Sequence, residues 1–330
     1  MISGENQYFT LIRCKDNREW LEQRTKGVGG SDVAAIMGLS PWRTPAQVWL
    51  EKTGRVEPED LSGRPYVEFG NIMEPLIGKW YADQHPDRKV RRVNAICQSN
   101  RRPWAQASLD YEVCDMERDP DTRWGVLEIK TARTAQDWKA GVPLYYQTQI
   151  IHYMTVTGRR FADVAVFFRD TCEFAEYRVE YDEEDAYAII GDVDGFWADF
   201  VLADVMPQVV GTSGEVSALT DYYGPASGEV TRLHGGTPEV SEAIQAISEY
   251  QDASAREKQA KDDKTAATAK LVALIGEARG IETDVARVTW VRSTQERFDT
   301  KAFKAAHPDL YAEFASTYTR NGGLRIKELA

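Results

Sequence analysis

A mixed α/β fold around one central sheet, with a long helix and a small α+β appendage after it, is what this sequence predicts. Three observations predict it. Apolar spacing switches between period 2 and helical period in the order helix, strands, helix, strands, helix over the first 205 or so residues. From Met206-Pro207 to about Pro238 the composition turns to Gly, Ser, Thr and Pro. Residues 239–279 are then rich in Ala, Lys, Glu and Gln at helical spacing. The expected division is a main domain over 1–207, a linker over 208–237 and an extension over 238–330.

The 330 residues carry 42% apolar and 11% aromatic side chains, enough for a sizeable core. No apolar run is long enough for a membrane span, and residues 1–25 lack the apolar core of a secretory signal. Cys14, Cys97, Cys114 and Cys172 are scattered, which reads as reduced thiols and a cytoplasmic location. That spacing excludes a disulfide frame, a zinc site and an iron–sulfur cluster. A net charge of −12 argues against a basic coat for nucleic acid, but leaves room for an acidic site beside a local basic channel.

In chain order, a basic, amphipathic segment ends in Trp20-Leu-Glu-Gln-Arg24. Gly27-Val-Gly29-Gly30-Ser31-Asp32 then marks a turn into a helix, with Ser31 or Asp32 as its N-cap. Such a terminus with Arg24 upstream suits an anion, although an ordinary capped helix explains the same residues. Helices are expected over 45–53 and from Tyr66, where Pro75 suggests a kink that presents Glu74. Glu74 is a candidate third carboxylate, with Glu68 competing for the role. Arg88, Lys89, Arg91, Arg92, Arg101 and Arg102 flank an expected strand over Val93–Cys97 and form the densest basic patch. Basic runs are usually solvated; here they are also candidates for DNA phosphate contacts.

The chemistry centres on Ser108–Thr131. Alternation makes Val126–Thr131 a strand, so Glu128 and Lys130 share a face. A strand ending at Asp110 is expected beside it, with 112–124 as the turn. Two carboxylates at one sheet edge repel unless a cation sits between them, and Mg²⁺ prefers such oxygen ligands. A lysine beside that cation can position a water for attack on a phosphodiester. This is the Asp…Glu-x-Lys pattern of PD-(D/E)xK nucleases, although a half-exposed charged strand produces the same letters. Downstream, a helix carries Tyr146, Ile150, Tyr153 and Met154 on its packing face and Gln149 beside it. Strands over 163–168 and 174–180 and a helix over 182–204 complete the domain. In the extension, 239–279 reads as a self-packing helix or helical hairpin, with strands at 287–293 and 323–328 and helix at 299–318 between them.

The motif order resembles the YqaJ-type viral recombinases, the group of the phage lambda exonuclease. It is carried by Arg24…Gly29-Gly30-Ser31-Asp32, Phe69-Gly70-x-x-x-Glu74-Pro75, Ala107-Ser108-Leu109-Asp110, Leu127-Glu128-Ile129-Lys130 and Pro143-x-x-Tyr146-x-x-Gln149. The resemblance covers roughly residues 15–205 and implies a restriction-endonuclease-like core. It implies Mg²⁺ (with Mn²⁺ as a substitute) on Asp110, Glu128 and the Ile129 carbonyl, with Glu74 nearby. Lys130 would activate water, Gln149 would support it, and Arg24 and Ser31 would hold a 5′-phosphate. The implied activity is 5′→3′ digestion of linear duplex DNA, leaving a 3′ strand for an annealing protein. A homo-oligomer is also implied, since some relatives are ring-shaped trimers. Backbone contacts would fall to Arg91, Arg92, Arg101 and Arg102. One departure is that Gln147, not a residue after Gln149, supplies the second helix amide. An endonuclease and a non-enzymatic DNA-end binder are the competing readings. An intact Asp110, Glu128 and Lys130 weigh against the latter.

Overall fold

The computed structural model describes residues 7–224, 230–291, 293–316, 324, 326 and 327. Two compact units divide the chain, Met1–Gly224 and Pro225–Ala330.

In the first unit, β1 (Phe9–Ile12) leads into α1 (Asn17–Thr25), α2 (Gly30–Ile36), α3 (Pro45–Lys52) and α4 (Pro65–Gln84). Strands β2 (Lys89–Arg92), β3 (Ile96–Ser99), β4 (Gln106–Ser108), β5 (Tyr111–Cys114) and β6 (Trp124–Ala132) follow. Then come α5 (Leu144–Thr157), β7 (Phe161–Phe168), β8 (Glu173–Glu180), α6 (Glu183–Phe196) with a π-helical turn over Trp197–Leu202, and α7 (Ser213–Tyr223). The main sheet has the order β2-β5-β6-β7-β8, and only the β6–β7 pair is parallel, with α5 as its crossover. A second antiparallel sheet has the order β1-β3-β4. This is the mixed α/β architecture that the sequence predicts, a central mixed sheet flanked by helices.

Centrality explains composition. Strands β6 and β7 each have neighbours on both sides, and β7 reads Phe-Ala-Asp-Val-Ala-Val-Phe-Phe with almost every residue buried. One core lies between the sheet and α2, α5 and α6, around Val126, Ile150, Met154 and Val164. Another lies under α4, where Ile77 and Tyr81 meet Leu127 and Phe161. Two glycines allow the close approaches. A Cβ on Gly125 would stand 2.4 Å from the Phe161 ring, and one on Gly30 would stand 2.4 Å from the Tyr153 ring.

Several expectations need correction. Asp110 does not end a strand beside β6: β4 stops at Ser108 and pairs with β3, and β5 is the strand beside β6. The turn expected over 112–124 is therefore shorter, because buried Glu112 and Val113 pair into the sheet. The basic run is itself a strand, β2, since its exposed arginines alternate with the half-buried Val90 at a sheet edge. Gly29, not Ser31 or Asp32, is the N-cap of α2, and Asp32 reaches back to accept the Gly29 N–H at 3.0 Å. Helix α4 is continuous across Pro75. The stretch read as a linker holds α7, capped by Thr212; its Glu215 is 1% exposed and accepts a 2.6 Å hydrogen bond from the Thr44 hydroxyl. Gly211 and Gly214 border that cap and first turn rather than forbid it.

The second unit holds α8 (Pro238–Ile275), the hairpin of β9 (Gly280–Glu282) and β10 (Arg287–Thr289), α9 (Thr300–Ala306) and α10 (Pro308–Phe314). Helix α8 is one uninterrupted helix, not a helical hairpin. The helix expected over 299–318 is divided at His307-Pro308. The strand expected over 323–328 falls mostly outside the described residues.

Candidate active site

On β6, Glu128 and Lys130 point to one face, and the central position of the strand buries Glu128 to 2% exposure. The Lys130 ammonium donates to Glu128 Oε1 at 2.6 Å and lies 4.7 Å from the centre of the Tyr146 ring. From α5, Gln149 Nε2 donates to the same Oε1 at 2.8 Å and also lies 3.1 Å from the Tyr153 hydroxyl. Glu128 Oε2 is buried without a hydrogen-bond partner.

Asp110 occupies the two-residue link that carries the chain from β4 into β5, out of one sheet and into the other. Its carbonyl accepts from the Val93 amide at 3.0 Å, and its Oδ2 accepts from the Ile129 amide at 2.8 Å. These bonds fix the Asp110 carboxylate against β6 between Glu128 and Lys130. Glu74 reaches the same cavity from α4, but its Oε1 is engaged by Arg92 at 2.7 Å.

The electrostatics follow from crowding of anions. Burial pushes the Glu128 carboxyl up, and the neighbouring Asp110 charge adds to this, to about 7 in spite of Lys130. Burial also raises Asp110, against the pull of Lys130 and the Ile129 amide. Glu74 is raised by burial and then by Asp110, against Arg92. Burial works against charge on Lys130, but Glu128 and Asp110 outweigh it and hold the amine above the ordinary lysine value. Lys130 in this arrangement is an ammonium, with no free pair to take up a proton.

Arg24 and Ser31 line the same cavity, of about 420 Å³, as Asp110, Glu128 and Lys130. The Arg24 guanidinium donates to Ser31 Oγ at 2.6 Å, lies over the Trp20 ring at 4.8 Å, and stands 3.7 Å from Asp32. Asp32 is wholly buried with Arg43 and Lys52, each at 2.7 Å. Burial alone would raise its carboxyl, but Lys52, Arg43 and Arg24 hold it well below the usual range, so it stays ionised. Lys52 also donates to the Arg24 carbonyl at 2.8 Å, tying the end of α1 to this buried centre.

The basic patch is divided. Arg92 stays near the cavity through Glu74. Arg91 pairs with Glu112 and lies over Trp124, Arg102 pairs with Asp194 at 2.9 Å, and Arg101 borders a separate cavity beside Tyr8 and Arg160. The structure therefore does not bring Arg91, Arg101 and Arg102 to the cavity that holds Asp110, Glu128 and Lys130. Gln147 donates to the Val142 carbonyl at 2.6 Å, so Gln149 is the amide on Glu128. Three groups escaped the sequence reading. Tyr153 was legible only as a packing residue, Tyr146 as a packing residue and a letter of the Pro143-x-x-Tyr146-x-x-Gln149 pattern without a role, and the Asp32 centre draws on Arg43 and Lys52, which carry no motif.

A YqaJ-like viral recombinase domain is recognised over residues 19–160. The uncharacterized protein YqaJ of Bacillus subtilis (strain 168) is 30% identical over 321 residues, 93% of either chain. The chain belongs to the YqaJ-like viral recombinase family. Its YqaJ-like region contains Arg24, Asp110, Glu128, Lys130 and Gln149, and ends before α7 and the second unit. Among solved structures, an alkaline exonuclease from Laribacter hongkongensis is similar with 23% identity and a TM-score of 0.47, over 57% of this chain and 94% of that one. A phage-related exonuclease from Haemophilus somnus 129PT is similar with 14% identity and a TM-score of 0.37, over 54% and 96%. Among the described residues no helix is long and apolar enough to cross a membrane.

Proposed function

We propose that this chain is a metal-dependent deoxyribonuclease that digests one strand of linear duplex DNA from a phosphorylated 5′ end. The product is a 3′ single strand, the substrate of a single-strand annealing protein in phage-type recombination. One observation carries the reading: Asp110, Glu128, Lys130 and Gln149 converge in one cavity with the Arg24–Ser31 pair. Membership of a viral recombinase family supports it.

The donor set fits Mg²⁺, with Mn²⁺ as a substitute. Among the described residues no three His, Cys, Asp or Glu side chains gather as a metal group. Mg²⁺ does not require three: it is held by one or two carboxylates, with waters and substrate phosphates completing its shell. Asp110 and Glu128 supply those carboxylates, the Ile129 carbonyl a further oxygen and Glu74 a nearby charge. The unpartnered Glu128 Oε2 and three carboxyls displaced upward are what a site short of positive charge looks like. When bound, the ion supplies Lewis acidity at the phosphoryl oxygens and lowers the pKa of an attacking water.

The chain's own residues do the rest. The Lys130 ammonium holds a water in line with the scissile phosphorus and offsets charge growing on its oxygens. Gln149 fixes Glu128 by its amide, and Tyr153 fixes Gln149. Arg24 and Ser31 present a guanidinium and a hydroxyl to the terminal phosphate, which sets the register of the strand and hence the polarity of digestion. Arg92, beside Glu74, contacts the phosphate backbone without reading bases.

The test uses linear duplex labelled at the 5′ end, with a phosphate or a hydroxyl there, beside covalently closed circles, in Mg²⁺ or EDTA. The expected result is Mg²⁺-dependent release of label from linear DNA only, faster from phosphorylated ends. Cutting of circles would replace this reading with an endonuclease, and binding of ends without cleavage would replace it with an end-binding protein.

A further inference from the structure

Helix α8 is 38 residues long, about 57 Å at 1.5 Å per residue, yet Ile275 is its sole buried residue. Leu274 is 71% exposed, and Tyr250 and Leu271 are also open to solvent. A helix of this length draws its stability from a covered apolar face, and among the described residues of the second unit none covers this one.

Two features of α8 specify what does. The first is charge. Residues 238–253 contain Glu239, Glu242, Glu249 and Asp252 and no Lys or Arg, whereas residues 254–275 contain five basic residues and three acidic ones. Among the described residues, none of these side chains makes an ion pair within the chain. The helix is thus acidic in its first half and basic in its second, and complementary to a copy of itself running the other way. The second is a strict seven-residue period: Ala246, Ala253, Ala260, Ala267 and Leu274 fall at one heptad position. Tyr250, Glu257, Lys264 and Leu271 fall at the other core position. A period of seven is the spacing of a two-helix seam, and alanine lets two backbones approach closely.

We infer that α8 is a self-association helix, along which two copies of this chain pair in antiparallel orientation. Orientation follows from the seam. In a parallel pair in register, Glu257 stacks on its own counterpart, as does Lys264, and Arg256 faces Lys261. In the antiparallel pair, Glu257 and Lys264 lie against alanines, Arg256 faces Asp263, and Glu249 faces Lys270. Like charges at a seam select strongly against an arrangement, so the antiparallel one is retained. The pairing uses the second unit alone and stands whether or not the nuclease reading does.

Sedimentation equilibrium of the full chain tests it. The wild type associates with a mass that is a multiple of two chains. Arg256→Glu weakens that association roughly tenfold or more, because each of two symmetric contacts becomes repulsive. Arg256→Glu with Asp263→Arg restores it, and circular dichroism shows α8 equally helical in all three. Orientation is read by oxidation of variants that each add one cysteine, against the parent chain with its own four. Ala260→Cys, near the two-fold centre, links two copies. Leu274→Cys, about 45 Å from its counterpart, does not. A wild type that does not associate, a mass untouched by Arg256→Glu, or a double variant that fails to recover would overturn the inference. Equal linking of both cysteines would overturn the antiparallel arrangement.

Discussion

Glu128 concentrates the chemistry of the site in one side chain. Its Oε1 is committed to Lys130 and Gln149 while Oε2 is left with no partner in a position closed to solvent. A buried acid whose carboxyl is raised from 4.5 to about 7 keeps its proton longer in the folded than in the unfolded state. Its contribution to stability is therefore greatest below about pH 4.5 and is lost as pH rises through about 7 in metal-free protein. Glu128→Gln should flatten that part of the metal-free stability profile, which chemical denaturation across pH 4–8 would show. The same replacement, like Asp110→Asn, should abolish the Mg²⁺ or Mn²⁺ binding heat seen by calorimetry with wild type; an unchanged titration would remove that residue from the ion's shell. Arg24→Ala should lose discrimination between phosphorylated and hydroxyl ends, by roughly tenfold or more for one charge-assisted pair. Equal slowing on both ends would assign Arg24 to the fold alone, through Ser31 and Asp32.

At the scale of elements, β6 and α5 make the site by facing each other, and α2 sets how deeply α5 seats. Because Gly30 has no Cβ, the Tyr153 ring and the Gln149 stem pass directly over α2. Gly30→Ala should cost about 2 kcal/mol by overpacking and should also slow cleavage, since the displaced Gln149 no longer holds Glu128. A stable, fully active Gly30→Ala protein would show that this seat is dispensable. His152 in α5 gives a separate pH signature. Burial lowers its imidazole to about 4, against a Gln106 carbonyl that favours the charged form. The neutral ring supports the fold above about pH 6.5, and that support, about 3 kcal/mol, is lost as pH falls toward 4. Denaturation midpoints of wild type and His152→Gln should therefore converge on acidification, and parallel profiles would contradict it. What the sequence made legible at this scale is what has a period or a spacing: β6, α5, β7 and the Glu-x-Lys pair. The link holding Asp110 was misplaced because two short strands of different sheets meet there, and alternation continues across the join. Helix α7 was missed because Gly211 and Gly214 look like linker residues, while the evidence for a helix, Glu215 buried on Thr44, lies 171 positions away in sequence.

At the scale of the whole molecule, the two units divide at Gly224, inside the stretch 208–237 that composition marks as a linker. A chain ending at Gly224 should keep the fold and the activity of the first unit. One ending at Pro207 exposes the seat of α7 on α3 and should melt several degrees lower, as expected for the loss of a buried, charge-assisted hydrogen bond. Equal melting temperatures would return α7 to the role of a linker. Net charge was informative only in exclusion: −12 over the chain coexists with a basic run that the fold divides among Glu74, Glu112, Asp163 and Asp194. Sequence cannot show that division, because every acid involved comes from a different element. The central claim is that Glu128, Asp110 and Lys130 together form a hydrolytic site. Lys130→Ala tests it most directly, with cleavage of 5′-labelled linear duplex and duplex binding measured on the same protein. Cleavage should fall by roughly 100- to 1,000-fold while binding stays within a few-fold of wild type. Undiminished cleavage, or loss of binding in parallel with cleavage, would contradict it.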